Sequence, residues 1–287
     1  VAAVLDVGVP EGMELLFSGN PVIFASVIAQ LSWFLLIIPP IIVALLVCLV
    51  CSVVVSVAAV ALKPVQVTNQ LLDKQRNILL IAGLLEEGRS VQEQFEQITP
   101  RLVDLRTGEF SDAMDPLTYN QQEAARDQNL SRALEAHEDV ASIRRREHYA
   151  TVYMVENAEG IETIILPIHG YGLWSTLYGF IALEGDFNTI RGLGFYQHGE
   201  TPGLGGEVDN PRWRELWKGN MVYTDEGEVG VQIVKGTVDG SDPRRQYKVD
   251  GLAGATLTSR GVEHLVRFWM GDTGFRSFLE NLKAGEA

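Results

Sequence analysis

No charged side chain occurs between Leu15 and Leu62, and this gap restricts what the chain can fold into more than any other feature. An apolar stretch of that length has to be sheltered from water by a large core or by lipid. Its second half, "IIVALLVCLVCSVVVSVAAVAL" from Ile41 to Leu62, contains no charge, proline or glycine. It exceeds the ~20 apolar residues a helix needs to cross the hydrocarbon core. Lys63-Pro64 follows as an interface boundary. A cleaved signal peptide would carry an apolar region about half as long behind a basic stretch, and no Lys or Arg precedes Lys63. Residues 41–62 are therefore read as a transmembrane helix with membrane lipid around it. Residues 1–40 are apolar too, but Gly19-Asn20-Pro21 and Pro39-Pro40 interrupt them. A second span, an interfacial segment and a re-entrant piece all satisfy that pattern. Both cysteines, Cys48 and Cys51, fall inside the span. There cysteine behaves as a small apolar residue, and two thiols are too few for a tetrahedral metal site.

All 23 lysines and arginines lie beyond Leu62, with every acidic residue except Asp6, Glu11 and Glu14. The formal net charge of −14 therefore belongs mostly to the part after the span. That part should be soluble, and its acidity argues against nucleic acid as a partner, because phosphates need a cationic footprint. "RRR" at Arg144–Arg146, set among acidic neighbours, reads as a solvated helix face. Residues 63–149 begin with a stalk helix, in which Val67, Leu71, Ile78, Ile81 and Leu85 recur at helical spacing. A polar, irregular region follows and reads as helical near "LSRALEAHEDVASIRRRE". Over residues 150–287 the pattern changes to short apolar or alternating runs such as "ATVYMVEN", "ETIILPIHG" and "GVQIVKG". "FIALE" and "TIRGLGFY" joined by "GDFN" predict a β-hairpin. Two helices are predicted at the end, one with the stripe Val262, Leu265, Val266 and Trp269, the other with Phe275, Phe278, Leu279 and Leu282. The expected class is α+β: an N-terminal transmembrane helix followed by an antiparallel sheet packed by helices.

Three stretches have the composition of a binding site. "GETPGLGGEV", Gly199–Val208, is a loop by its glycines and proline. Glycine lets a ligand approach the backbone closely, although a plain turn would use it as well. The spacing is neither a dinucleotide fingerprint nor a Walker loop. "PIHGYGLWSTLYGF", Pro167–Phe180, places glycines around Tyr171 ahead of Trp174, aromatics that could stack on a planar ligand or pack in a core. His169 and His198 have no nearby third metal ligand, and no nucleophile elbow supports a hydrolytic triad from Ser175 or Ser259. In "DGLAGATLTSRG", Asp250–Gly261, a turn and two small residues precede Thr256, and Thr258 and Ser259 open a helix. A helix N-terminus favours phosphate through its free N–H groups and partial positive charge. Thr256 could carry a phosphate ester there. Taken alone, these residues favour the plainer role of helix caps.

Several segments together carry a resemblance. "DGLAGATLTSRGV" resembles the flavinylation motif, an Asp followed by Ser/Thr-Gly-Ala-Thr, of domains that hold FMN on a threonine through a phosphoester. "LLDKQRNILLIAG", "RLVDLRTGEF", "HGYGLWSTLYGF" and "ETPGLGGEV" are similar, in order, to the family of C subunits of the bacterial Na+-translocating NADH:quinone reductases. The related G subunit of the Rnf complexes shares "ETPGLG" and Gly-Ala-Thr. Ala253 stands where the family has Ser or Thr, and residues 1–40 do not resemble the family's short basic N-terminus. The resemblance implies FMN esterified to Thr256 by a separate flavin transferase that uses FAD. It places Gly254, Ala255, Thr258 and Ser259 around the phosphate. Glu200, Thr201, Gly203, Leu204 and Gly205 of the glycine-rich loop, with Trp174, would border the ring. Partners would be the other reductase subunits. An electron would come from an iron–sulfur centre and pass to another flavin, during NADH-to-quinone transfer coupled to sodium export. The implied location is the bacterial inner membrane with the flavin domain on the periplasmic side. A membrane-tethered binding or assembly module without flavin is the alternative from a different class.

Overall fold

The computed structural model describes residues 21–158 and 160–287, so the expectation for the start of the chain, including the Gly19-Asn20 break, lies outside the described residues. The chain divides into two compact units, one ending at Thr68 and one running from Asn69 to Ala287. Helix α1 (Pro21–Ile81) continues through Pro39, Pro40 and Pro64. The break expected at Pro39-Pro40 does not occur. A proline removes one hydrogen bond from the helical ladder. Leaving the helix in an apolar medium would unpair many more backbone groups. Beside Pro64 the Thr68 hydroxyl donates to the Pro64 carbonyl at 3.1 Å. Among the described residues this is the one helix long and apolar enough to cross a membrane, and its most apolar part is not buried against protein. Leu35, Leu36 and Val60 are largely bare, which suits a lipid surround.

In the second unit, α1 is followed by α2 (Val91–Phe95), β1 (Thr99–Asp104), β2 (Glu109–Phe110) and the single turn α3 (Gln121–Ala124). Then come β3 (Ser131–Ala133), β4 (Arg145–Glu147), β5 (Tyr149–Asn157), β6 (Gly160–Tyr171), β7 (Thr176–Glu184) and β8 (Ile190–Gln197). The chain ends with α4 (Pro211–Glu215), β9 (Gln232–Val234), β10 (Lys248–Asp250), α5 (Thr256–Met270) and α6 (Arg276–Ala284). Six strands form one sheet in the order β2-β1-β5-β6-β7-β8, and each neighbouring pair is antiparallel. The β7–β8 hairpin and both C-terminal helices lie where the patterns predict them.

Successive side chains of a strand point to opposite faces, and here both faces are buried. Met154, Ile164, Leu166, Ile168, Ile181 and Leu183 pack with Val262, Leu265, Val266 and Trp269 of α5 and with Phe278 and Leu279 of α6. Tyr153, Val155, Ile165, Phe180 and Ala182 pack on the other side with Ile78, Leu79, Ile81 and Ala82. Lys74 lays its ammonium over the Tyr153 and Phe180 rings at 5.7 and 5.9 Å from their centroids. The stalk stripe is therefore divided: Ile78 and Ile81 enter a core, whereas Val67 and Leu71 stay exposed.

The stretch around "RRR" is not a helix. β3 and β4 pair there as antiparallel strands. Asp139 accepts from the Ile143 and Arg144 N–H groups at 2.8 Å each, closing a turn, and Ser142 and Arg144 take positive φ. Arg146, read as solvated, is buried and donates to the Thr273 carbonyl. Long-range acceptors here override a helical-looking composition.

Candidate functional site

β6 and β7 are joined by the tight turn Gly172–Ser175, closed by the Gly172 N–H on the Ser175 carbonyl at 2.8 Å. Three consecutive N–H groups of this turn converge on one oxygen. Leu173, Trp174 and Ser175 donate to Glu200 Oε1 at 3.1, 2.9 and 3.2 Å. Glu200 Oε2 accepts from the Thr258 hydroxyl at 2.8 Å. Burial alone would push the Glu200 carboxyl up. The donors Trp174, Thr258, Leu173 and Ser175 outweigh it and hold the pKa below the ordinary value. The same turn is tied a second time, because the Gly199 N–H donates to Ser175 Oγ at 2.6 Å.

After Glu200 the loop folds on itself, with the Leu204 and Gly206 N–H groups on the Thr201 carbonyl at 3.1 and 2.9 Å. The position that needs glycine for its backbone is Gly203, at φ +77°. Gly205 is needed for a different reason. A Cβ there would lie 2.6 Å from Thr258 Oγ1 and 2.7 Å from Glu200 Oε2. On that side the backbone of Gly205 lies close against protein. Thr201, Gly203 and Leu204 remain exposed.

Helix α5 forms because its apolar stripe fits the sheet and its first residue follows a small-residue turn. Gly254 takes φ +71°, and a Cβ on it would lie 3.1 Å from Leu204 Cδ2, so the two glycine-rich stretches meet here. Asp250 anchors the turn: its Oδ1 accepts from the Val238 N–H and its carbonyl from Trp213 Nε1, both at 2.8 Å. Ala255 is the N-cap and makes no side-chain cap bond. The three hydroxyls of the motif then separate. Thr256 is exposed at the first position of the helix, while Thr258 is fully buried. Ser259 is buried too; its Oγ accepts from the Leu252 N–H and donates to the Ala255 carbonyl, both at 3.0 Å. Thr258 and Ser259 therefore spend their hydroxyls on protein. Ala253, which stands where the resemblance has Ser or Thr, is exposed.

Around this helix start stand side chains that water does not favour. Trp174 is 66% exposed, and Tyr171, Leu173, Leu204 and Leu257 are exposed as well. A phosphate on Thr256 would meet N–H groups without intrahelical partners. A planar ring extending from it would find these apolar side chains and the clasped turn. The residues present fit FMN. Sequence patterns alone do not mark Leu173 or Leu257 as site residues, and they leave Tyr171 between ligand and core. Gly261 escapes sequence reasoning too, although a glycine on the buried face of an amphipathic helix is an available signal. A Cβ at Gly261 would sit 2.5 Å from the Tyr171 carbonyl, which is how closely α5 presses on the turn.

His169 and His198 are both held by protein contacts. His198 Nδ1 accepts from the Glu200 N–H at 3.2 Å, so its Nε2 carries the proton toward Asp209, 2.7 Å away. His169 is stacked on Tyr178, and burial pulls it down to about 4.

An anchored domain built on an antiparallel sheet, with an accessible threonine at a helix start, defines the class, and residues 172–271 match the FMN-binding domain family. The C subunit of the Na(+)-translocating NADH-quinone reductase from Pseudomonas aeruginosa is 61% identical over 249 residues, covering 85% of this chain and 95% of that protein. The corresponding protein from Vibrio alginolyticus is 48% identical, covering 83% and 92%. The crystal structure of Shewanella oneidensis NqrC superposes with a TM-score of 0.68 at 37% identity, over 73% of this chain and 96% of that one. The chain belongs to the NqrC family, the C subunits of the Na(+)-translocating NADH-quinone reductases.

Proposed function

We propose that Thr256 carries FMN as a phosphoester and that the chain is the anchored flavin subunit of a sodium-translocating NADH:quinone reductase. The observation that carries the assignment to Thr256 is the division of the three motif hydroxyls: Thr256 is exposed, whereas Thr258 and Ser259 are buried and bonded to protein. In the loading reaction a flavin transferase would join Thr256 Oγ to the FMN phosphorus of FAD. The pyrophosphate bond breaks, AMP leaves, and the hydroxyl proton passes to the transferase. The helix start would hold the phosphate, and Trp174, Leu204 and the turn at residues 172–175 would border the ring. Once bound, FMN supplies one-electron transfer, and its attachment through phosphate leaves the ring's electronics to the surrounding pocket.

On this reading an electron arrives from an iron–sulfur centre in neighbouring subunits and leaves to another covalent flavin. NADH and quinone react on other chains, and sodium export is coupled to the whole route. α1 would hold the domain at the periplasmic face of the inner membrane. Thr256→Val, expressed with the transferase, is expected to lose covalent flavin fluorescence in a denaturing gel, while Thr201→Val keeps it. Fluorescence surviving in Thr256→Val refutes the assignment. A wild-type chain that never acquires flavin favours the tethered assembly module instead.

A further inference from the structure

We infer that Glu200 is a positioning residue that shapes the acceptor site around Thr256 before any flavin is attached. The inference rests on Thr256 being the acceptor. The family resemblance groups Glu200 with ligand contacts, yet all four of the hydrogen bonds its carboxylate accepts come from protein: three turn N–H groups on Oε1 and the Thr258 hydroxyl on Oε2. Protein closes around the carboxylate. A Cβ on Gly172 would lie 2.6 Å from Oε1, and one on Gly205 would lie 2.7 Å from Oε2. The residue is 5% exposed, and its oxygens face the clasp.

Each of the three segments it joins contributes a different part of the site. The turn carries Leu173 and Trp174, the loop carries Leu204, and the first turn of α5 carries Thr256 two residues before Thr258. The bond to Glu200 is what holds the Thr258 hydroxyl. Without the carboxylate, three N–H groups and a buried hydroxyl lose their acceptor together. Buried donors without acceptors are costly. The turn and the helix start would then have no shared reference point, and Thr256 Oγ would be presented to the transferase in many orientations.

The chemistry sets which replacement succeeds. Glutamine keeps one carbonyl oxygen for the three N–H groups, and its amide can donate to Thr258 once that hydroxyl rotates to accept. Alanine supplies nothing. Aspartate is shorter by one methylene and cannot reach both ends of the clasp.

The test uses the whole chain in detergent, with purified flavin transferase and FAD, and reads the rate of covalent loading by in-gel fluorescence. Thermal unfolding is recorded in parallel. Glu200→Ala is expected to load at least about tenfold more slowly while folded, because small misplacement of reacting groups costs rate steeply. Glu200→Gln is expected to load within about threefold of wild type, retaining the hydrogen bonds. Should Glu200→Ala fail to fold, Thr258→Val, which removes one bond, is expected to slow loading several-fold in a folded chain. Loading of the folded alanine or valine variant at the wild-type rate overturns the inference. So does a glutamine variant as slow as alanine. If wild type itself does not load, the assignment to Thr256 fails and this inference with it. Normal loading of wild type with an unaffected Glu200→Ala removes only the role of Glu200.

Discussion

Glu147 has its carboxyl group in a fully buried environment. Gln121 donates to Oε1, Oε2 has no hydrogen-bond partner among the described residues, and His169 Nε2 lies 3.9 Å away. Burial pushes its carboxyl up to about 7. A carboxyl that binds its proton more tightly when folded adds stability at low pH, and that contribution is lost as pH rises through the folded value. His169 works in the opposite direction, because its value is depressed to about 4. Its contribution is present above its unfolded value and disappears as pH falls through about 4. Glu147→Gln removes only the first of these. Its advantage over wild type in thermal unfolding is expected to grow from about pH 5 to about pH 8, reaching on the order of 3 kcal/mol. A constant difference across that range would show that Glu147 is already ionised in the folded chain. The same scale explains the hydroxyls of the motif: three similar side chains within four positions differ in accessibility, two of them being bonded inside.

At the scale of elements, α5 shows how a strong local preference yields to packing. Gly261 lies inside a helix, where alanine would be favoured by about 1 kcal/mol. A Cβ there would meet the Tyr171 carbonyl at 2.5 Å and Gly172 Cα at 3.0 Å, backbone atoms that cannot swing aside. Overpacking of this kind costs about 1–3 kcal/mol. Gly261→Ala is therefore expected to destabilise the domain by about 1 kcal/mol in net terms and, by displacing the turn, to slow flavin loading. Chemical unfolding together with the in-gel assay checks both, and a stabilised, normally loaded variant would mean the helix can slide away. Elements with a clear period are legible in the sequence: the β7–β8 hairpin, α5 and α6 follow their apolar stripes. The β3–β4 pair is not, because its strands are three residues each and are held by Asp139 and Arg145 contacts that no period announces.

For the whole molecule, two signals oppose each other over the side of the membrane. Lys63, Lys74 and Arg76 follow the apolar span, and by the positive-inside rule alone they would keep that flank in the cytoplasm. Large domains are exported largely regardless of such charges, and the proposed role in the reductase places the flavin domain in the periplasm. Ala113 is exposed on the second unit, and Cys48 and Cys51 are the only thiols. Ala113→Cys, in a chain with both native cysteines changed to alanine, is expected to react in intact cells with a maleimide that crosses only the outer membrane. Labelling that requires a broken inner membrane would put the domain in the cytoplasm.

The amino-acid sequence by itself determined what local physics can encode. A charge-free run of apolar residues has few environments open to it, and period-2 and period-3.6 patterns oblige strands and helices to bury one face or both. The resemblance in "DGLAGATLTSRGV" and "ETPGLGGEV" also pointed to FMN and to Thr256. Tertiary structure decided the rest. Glu200 and Thr258 are 58 positions apart, and Glu200 and Leu173 are 27 apart. Whether a carboxylate faces a ligand or gathers the chain around itself depends on which distant donors the fold delivers to it. That is a property of the packed sheet and α5, because a buried charge is tolerated only where several donors converge.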